Sequence, residues 1–147
     1  MRFWINTVSR DHVRAGVEGR FTQADHGRQS RLRRLAKGDF IAFFYSLRTA
    51  FRNGEPLQAF TAIARVVDDA PYQVEMAHGF HPWRRRVEFL TTDEAPVRPL
   101  IDRLDVIKDK KRWGYAFRAG LFEVSRTDFE QICAAMNVSA PAPRDAQ

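Results

Sequence analysis

The sequence predicts a single α+β domain built on a small, curved, mostly antiparallel sheet or pseudo-barrel. The chain has 147 residues, 44% of them apolar, which is enough for one packed core. Strand-like and helix-like segments are mixed without the regular βαβ alternation of a parallel sheet. Two long strand patterns also follow each other directly, as they do in an antiparallel pair.

The first half of the chain alternates between strand and helix patterns. Residues 3–8 alternate as a half-buried strand does, and Ser9 is placed to cap a short helix over 10–17. Ser30 precedes a second helical pattern with two leucines inward. The almost wholly apolar run 40–46 is typical of a central strand, and 57–67 predicts the strand that follows it. The segments between these elements are predicted loops: 19–29 and 47–56.

The second half repeats this mixture after a predicted loop at 68–82. Residues 83–90 alternate as a strand, and Pro96 and Pro99 predict the start of a helix. A short extended segment is predicted at 117–124, before a capping box from Ser125 to Asp128. That box starts a last helix with Phe129, Ile132, Cys133 and Met136 inward. We therefore expect a domain over 1–137 and a disordered Pro/Ala-rich tail over 138–147.

Several classes of protein are excluded. No apolar stretch is long enough to span a membrane, and the first residues pass directly into a strand pattern instead of a signal peptide. Cys133 is the one cysteine, so an intrachain disulfide and a CxxC metal site are excluded. We therefore expect a cytoplasmic protein. Dinucleotide and P-loop motifs are absent, and no cofactor is predicted. Glu75, His78 and His81 lack a further ligand at metal-site spacing and are interpreted as a polar loop, so no metal is predicted.

The basic residues are unevenly distributed. Lys and Arg number 24 against 18 acidic residues, and 20 of the 24 are Arg. Before Val67 there are 12 basic and 5 acidic residues, whereas from Val67 onward there are 12 and 13. This pattern favours one basic face that contacts phosphates, for which the guanidinium group is well suited. The alternative is an arginine-rich surface that is simply solvated.

Aromatic and polar residues cluster at predicted strand ends and loops. A protein that reads a flipped-out base needs aromatic faces for stacking and a few amide or hydroxyl groups for hydrogen bonds. The alternative is that Trp4 and Trp113 are ordinary core aromatics. The residues that would form such a slot are Trp4, Asn6, Phe21, Gln23, His26, Tyr45, Ser46, Phe51, Trp113, Phe117 and Arg118.

An enzyme is the second hypothesis. A small acid–base hydrolase or ribonuclease needs two proton-transfer groups. These could come from His12, Asp25, His26 and Glu55. No nucleophile elbow of the type GxSxG is present.

The sequence resembles the EVE domain family, in particular its stand-alone bacterial branch, in its motifs and in their order along the chain. The resemblance covers about residues 1–137. The motifs that carry it are FWINTVSRDHVRAGVEGRFTQADHG (3–27), LRRLAKGDFIAFFYS (32–46), QAFTAIARV (58–66), PWRRRV (82–87), PLI (99–101), WGYAFRAGLFEV (113–124) and DFEQI (128–132).

The resemblance implies a PUA-like β pseudo-barrel with flanking helices, related to the YTH and ASCH domains. It also implies a non-enzymatic pocket for a modified base, with 5-methylcytosine or 5-hydroxymethylcytosine in DNA as the expected ligand. In this chain the pocket would draw on Trp4, Asn6 and Thr7, the loop 21–26, Tyr45 with Ser46, and Trp113, Phe117 and Arg118. Phosphates would be held by Arg28, Arg31, Arg33, Arg34, Lys37, Arg48 and Arg52.

Two alternatives stay open beside this modified-base reader. One is an RNA-binding module, and the other is an ASCH-like enzyme that hydrolyses RNA or nucleosides. We expect nucleic acid as the partner and no membrane. Because the chain carries no effector domain, its role needs a separate effector protein or simple occupancy of the site. A monomer and a weak dimer are both compatible with the sequence.

Overall fold

The computed structural model describes residues 1–8, 10–24, 27–45 and 58–139, with the backbone alone for 10–12. In these ranges eight strands belong to one sheet. They are β1 (Phe3–Thr7), β2 (Phe21–Thr22), β3 (Phe40–Tyr45), β4 (Ala59–Val66), β5 (Tyr72–Gln73), β6 (Trp83–Phe89), β7 (Ala95–Pro96) and β8 (Leu121–Val124).

The sheet is mixed and curls into a half-barrel. Its strand order is β2-β6-β4-β3-β1-β8, with β5 beside β6 and β7 beside β4. The pair β1–β3 is parallel, and the other described pairs are antiparallel. The predicted α+β fold with a mostly antiparallel pseudo-barrel is therefore confirmed.

Each face of the sheet carries its own hydrophobic core. Along β1 the side chains alternate, so Phe3 and Ile5 join one core while Trp4 joins the other. Helix α2 (Arg126–Ala135) closes the first core with Phe129, which packs 4.9 Å from Phe3 between ring centres. The central strand β3 is buried along nearly its whole length, as its continuous apolar run predicts.

The predicted capping box of α2 is present in part. Ser125 Oγ accepts a hydrogen bond of 3.1 Å from the Asp128 backbone N–H. The buried Asp128 carboxylate accepts instead from the backbone N–H groups of Asp105 and Val106, at 2.7 and 2.9 Å. Asp at this position therefore fastens α2 to the preceding segment.

Three predicted elements differ in the structure. The helix expected after Ser30 is a single 3₁₀ turn, Leu32–Arg34, because the chain is extended again at Leu35. The helix expected after Pro96 is likewise only a 3₁₀ turn, Arg98–Leu100, preceded by β7. The extended segment 117–124 is wrong in its first part, where the 3₁₀ helix Trp113–Ala119 ends at Gly120 with φ of 74°.

Two short strands lie where the sequence predicted only loops. Both β2 and β5 pair with β6, and two residues are too few to give a strand pattern. Helix α1 (Arg10–Gly19) is two residues longer than predicted. The predicted cap Ser9, the whole of the loop 47–56 and residues 140–147 of the tail fall outside the described residues. No helix in the described ranges is long and apolar enough to cross a membrane.

Candidate functional site

The carboxyl end of β1 divides the predicted pocket residues into two groups. Asn6 and Thr7 are consecutive, so their side chains point to opposite faces of the strand. Asn6 Nδ2 donates to Thr22 Oγ1 at 3.3 Å and to the Gln23 carbonyl at 2.9 Å. Thr7 Oγ1 donates to the Phe117 carbonyl at 2.9 Å. The single slot predicted from sequence is therefore two neighbouring places on either side of one strand.

On the Thr7 side lies an open cleft of about 720 Å³. It is formed where the end of β1 meets the 3₁₀ helix 113–119, and it brings together four of the predicted residues: Thr7, Trp113, Phe117 and Arg118. The cleft is also lined by Lys111, Arg112, Gly114, Tyr115 and Gly120.

The aromatic side chains of the cleft differ in how far they are exposed to solvent. Tyr115 is 72% exposed, and Trp113 is half-buried. Phe117 is only 1% exposed, because its ring stacks on Phe44 at 4.0 Å between centres. Tyr115 and Trp113 can offer a face to a planar ligand, whereas Phe117 supports the cleft from the core.

Cations surround this cleft. Lys111, Arg112 and Arg118 line it and are exposed, and the Arg118 guanidinium lies 5.6 Å from the centre of the Tyr115 ring. Lys110 is exposed too, but its ammonium donates to the carbonyl oxygens of Ile101 and Leu104. We call Lys111, Arg112 and Arg118 the cationic rim. Together with the aromatic faces, this rim suits a ligand that is planar and anionic.

On the Asn6 side the predicted residues form a closed network. The Arg84 guanidinium stacks 3.7 Å above the Phe21 ring, and its Nε donates to Gln23 Oε1 at 2.6 Å. Phe21 and Gln23 are consequently buried. Sequence analysis did not include Arg84, whose side chain here occupies the position where a planar ligand would stack on Phe21.

Trp4 lies in the core instead of an open slot. Its side chain is fully buried, and its Nε1 donates to Asp39 Oδ2 at 3.0 Å. The guanidinium groups of Arg2 and Arg34 lie 5.1 and 5.0 Å from its ring centre. Asp39 also accepts from two backbone N–H groups, those of Arg2 and Ala36. Trp4 is therefore fixed at the start of the sheet and has no exposed face in this structure.

The predicted phosphate-binding residues are partly used by the fold. Arg34 packs on Trp4, Arg31 donates to the Leu121 carbonyl at 3.4 Å, and Arg33 Nε donates to Gln29 Oε1 at 3.2 Å. Arg28 and Lys37 are exposed. Most of the described part of the predicted basic face is thus exposed, and Arg31 and Arg34 also make contacts within the fold.

The remaining predicted residues lie at the end of β3 or outside the described ranges. Tyr45 ends β3 opposite Ala59 and is half-buried. Of the predicted pocket and phosphate residues, those outside the described ranges are His26, Ser46, Arg48, Phe51 and Arg52. The proton-transfer groups of the enzyme hypothesis are also not described, since Asp25, His26, Glu55 and the side chain of His12 fall there.

The residues that sequence analysis missed had a readable signal. The window from Lys108 to Arg118 contains five basic residues and one acidic residue, interleaved with Trp113, Tyr115 and Phe117. It holds three of the four lysines of the chain. Counting charge over half the chain concealed this window, because the many acidic residues around it bring that half to a net −1.

The described residues contain neither a cluster of metal-binding side chains nor a reactive thiol. Within the described ranges no three His, Cys, Asp or Glu side chains are grouped to hold a metal ion. Cys133 is buried, and desolvation, with a smaller effect of the Glu130 carboxylate, raises the pKa of its thiol to about 11. A thiol with that pKa is almost wholly protonated at neutral pH and is a poor nucleophile.

Comparison with known protein families identifies the family to which the chain belongs. The family model described as EVE domain matches residues 2–135. The chain belongs to the EVE domain family. This EVE domain is similar to UPF0310 proteins of bacteria: it is 59% identical to one from Mycobacterium avium (strain 104) over 95% of this chain and 100% of the relative. It is 46% identical to one from Mesorhizobium japonicum, over 91% of each.

Solved structures share the fold of this EVE domain at low sequence identity. One is the YTH domain of Zygosaccharomyces rouxii MRB1 in complex with N6-methyladenosine RNA, with a TM-score of 0.60 and 16% identity over 95% of this chain and 89% of that one. Another is a crystal structure of an Agrobacterium tumefaciens protein, with a TM-score of 0.57 and 11% identity over 96% and 97%. The half-barrel is therefore an architecture shared with YTH domains.

Proposed function

We propose that this EVE domain is a non-enzymatic module that binds nucleic acid and reads a modified base in the cleft at the end of β1. The expected base is 5-methylcytosine or 5-hydroxymethylcytosine in DNA, swung out of the helix. The observation that carries this proposal is the cleft itself, where exposed aromatic faces and a cationic rim meet at one strand end. Base stacking and phosphate binding need these two kinds of group side by side.

The aromatic side of the cleft provides the stacking surface. Tyr115 is the most exposed large apolar residue of the described chain, and Trp113 stands on the same 3₁₀ helix. Stacking of one base on an aromatic ring contributes about 1–3 kcal/mol. Thr7, whose hydroxyl already donates to Phe117, keeps an acceptor function for an exocyclic amino group of the base.

The cationic rim provides affinity without sequence selectivity. Lys111, Arg112 and Arg118 are positioned to contact the phosphates on either side of the bound nucleotide. Each phosphate contact steepens the salt dependence of binding by about 0.9 in the slope of log K against log[salt]. A methyl group on the base adds a modest discrimination of about 1–3 kcal/mol, since it corresponds to one methylene in an apolar pocket.

The YTH relative supports the proposal and favours RNA as the second candidate ligand. That protein has the same fold and was solved with RNA containing N6-methyladenosine. The two folds align over 95% of this chain and 89% of that one, which supports a methylated base as a ligand for this fold. Oligonucleotides that carry N6-methyladenine, and RNA as well as DNA, are therefore needed to test the ligand.

The test is a fluorescence-anisotropy titration with matched oligonucleotides at two salt concentrations. They carry cytosine, 5-methylcytosine, 5-hydroxymethylcytosine or N6-methyladenine, as DNA and as RNA. We expect tighter binding of one modified base, with the preference lost in Tyr115→Ala. Arg14→Glu, at an exposed arginine of α1 outside the cleft, is the control.

Three results would overturn the proposal. Equal, salt-sensitive binding of every oligonucleotide would show a basic surface without base reading. A modification preference that Tyr115→Ala leaves intact would place the base elsewhere. Turnover of RNA or nucleosides, with a bell-shaped pH profile lost in His26→Ala, would establish the ASCH-like enzyme instead.

A further inference from the structure

A second cleft, of about 560 Å³, adjoins the first cleft, the one at the end of β1. Arg112, Trp113 and Tyr115 line both of them. Because the two clefts share these three residues, a single ridge of side chains separates them. The second cleft has the size of a ligand-binding cleft, for which about 300–1,000 Å³ is usual. Its other lining residues are Val106, Ile107, Lys108, Asp109, Ala116 and Ala119.

The ridge follows from the geometry of the 3₁₀ helix that forms it. A 3₁₀ helix has three residues per turn, so side chains three positions apart lie on the same face. Phe117 belongs to the face that is buried against the core, and Tyr115 belongs to the face that is exposed. Trp113, Ala116 and Ala119 share the third face, which lines the second cleft. The exposed Tyr115 therefore stands between the two clefts.

The inner surface of the second cleft is largely apolar. Val106 and Ile107 line it from the segment before the helix, and Ile107 is buried. The half-buried Ala116 and the exposed Ala119 line it from the helix. A methyl group is the whole side chain at these two positions, so room remains for a flat ligand beside the Trp113 ring.

Charged residues complete the second cleft. Lys108 lines it and is exposed, and the exposed Arg112 lines both clefts. Asp109 also lines it, and its Oδ1 atom accepts from the backbone N–H groups of Lys111 and Arg112, at 3.0 and 3.3 Å. The Asp109 carboxylate therefore fixes the turn that carries Lys111 and Arg112, while the side chains of these two cations stay exposed.

We propose that the second cleft holds the base of the nucleotide next to the modified one, so that Tyr115 stands between two consecutive bases. This inference rests on the proposed function. A base has two apolar faces, which suit the apolar surface of the cleft and the Trp113 ring. Arg112, which lines both clefts, is placed to contact the phosphate that links the two nucleotides.

The position and charge of the second cleft favour a nucleotide over an apolar side chain of a protein partner. A strand that places one base in the first cleft brings its next nucleotide to the ridge at Tyr115, since the two clefts share that ridge. The exposed cations Lys108 and Arg112 suit the phosphates of such a strand. An apolar peptide side chain would leave both cations without an anionic partner.

The first test is an anisotropy titration of the wild type with single-stranded DNA that carries one 5-methylcytosine. The intact strand is compared with strands that have an abasic residue on the 5′ side or on the 3′ side of that base. We expect one abasic strand to bind about tenfold more weakly than the intact strand, because the stacking of the neighbouring base is lost. The other abasic strand should bind within about twofold of the intact one.

The second test fills the second cleft with Ala119→Leu. Of the two clefts, Ala119 lines the second alone, and it is exposed. In this variant the intact strand and the sensitive abasic strand should bind equally, while the preference for 5-methylcytosine over cytosine is kept. The control Ala134→Leu, at an exposed alanine of α2 outside both clefts, should keep the tenfold difference. Thermal unfolding checks that both variants fold, and the wild-type comparison does not depend on them.

Two results would overturn the second cleft alone. One is a wild type that prefers 5-methylcytosine but binds all three strands equally. The other is a folded Ala119→Leu protein that keeps the tenfold difference, which would place the neighbouring base elsewhere. A wild type that binds 5-methylcytosine and cytosine equally would overturn the proposed function, and this inference with it.

Discussion

Two basic regions of this EVE domain carry similar charge and are used differently. In the region 28–37, two arginines make contacts within the fold while the side chains of most basic residues stay exposed: Arg34 packs on Trp4, and Arg31 donates to a carbonyl of β8. In the region 108–118, the cations Lys111, Arg112 and Arg118 stand exposed around a cleft. An arginine with five donors and a flat face is readily absorbed by carbonyl groups and rings of its own chain. Charge density alone therefore does not identify a binding surface.

Arg85 is the extreme case of a cation used by the fold, and its replacement should have the largest effect. Its side chain is fully buried, pairs with Asp68 at 2.6 Å and donates to the carbonyl oxygens of Leu32 and Leu35. Arg85→Met leaves these acceptors and the Asp68 charge without their partner. We expect a loss of about 3–5 kcal/mol in the free energy of unfolding, measured by urea denaturation.

The matched control for Arg85 is its neighbour Arg86, which is exposed over the Tyr72 ring at 4.6 Å. Arg86→Met should change the free energy of unfolding by about 1 kcal/mol or less. Similar losses for the two variants would contradict the distinction between structural and exposed arginines within this strand.

Reversing the charge of the cationic rim should have the next largest effect, on binding instead of folding. Lys111→Glu with Arg112→Glu replaces two attractive contacts by repulsive ones, and we expect affinity for the preferred oligonucleotide to fall by about 100-fold at low salt. The slope of log K against log[salt] should fall by about 1.8, the share of two phosphate contacts. Anisotropy titrations at four salt concentrations measure both quantities.

The same double reversal in the first region, Arg33→Glu with Lys37→Glu, compares the two regions directly. Because Arg33 bonds to Gln29 and both residues lie outside the cleft, we expect affinity to fall by no more than about threefold, through long-range charge alone. If this variant lost as much affinity as the rim variant or more, the phosphate-binding surface would lie in the region 28–37, as predicted from the sequence.

Arg34→Ala should have the smallest effect and should act on stability alone. It removes one of two guanidinium groups beside the Trp4 ring, which contributes about 0.5–2 kcal/mol to the free energy of unfolding. Affinity measured well below the unfolding temperature should stay within about twofold of the wild type. A large loss of affinity in a stable Arg34→Ala protein would show that Arg34 contacts the ligand.

The sequence predicted most of the fold because its signals are local. The apolar run of β3, the alternation of β1 and the Ser125 cap of α2 each specify an element by themselves. The two-residue strands β2 and β5 could not be predicted, since they exist only through their pairing with β6. The short 3₁₀ turns are predicted as longer helices because one turn of 3₁₀ helix has nearly the same apolar spacing as the start of an α-helix.

The candidate site was harder to predict for a geometric reason. Grouping Asn6 with Thr7 ignored that adjacent strand residues face opposite sides, so one predicted pocket became two places. Trp4 meets the criteria for a stacking residue by type, and only its burial and its hydrogen bond to the buried Asp39 show that it belongs to the core. Tyr115 and the rim were readable in the window 108–118 but required a local count of charge.

The most direct test of the central claim is an NMR titration of the side-chain indole N–H signals with an oligonucleotide that carries the preferred modified base. The indole of Trp113 lines the cleft, while that of Trp4 is buried and bonded to Asp39. We expect the Trp113 signal to shift until it saturates at one equivalent of ligand and the Trp4 signal to stay in place. A Trp113 signal that stays fixed when the protein is saturated with ligand would contradict binding in this cleft.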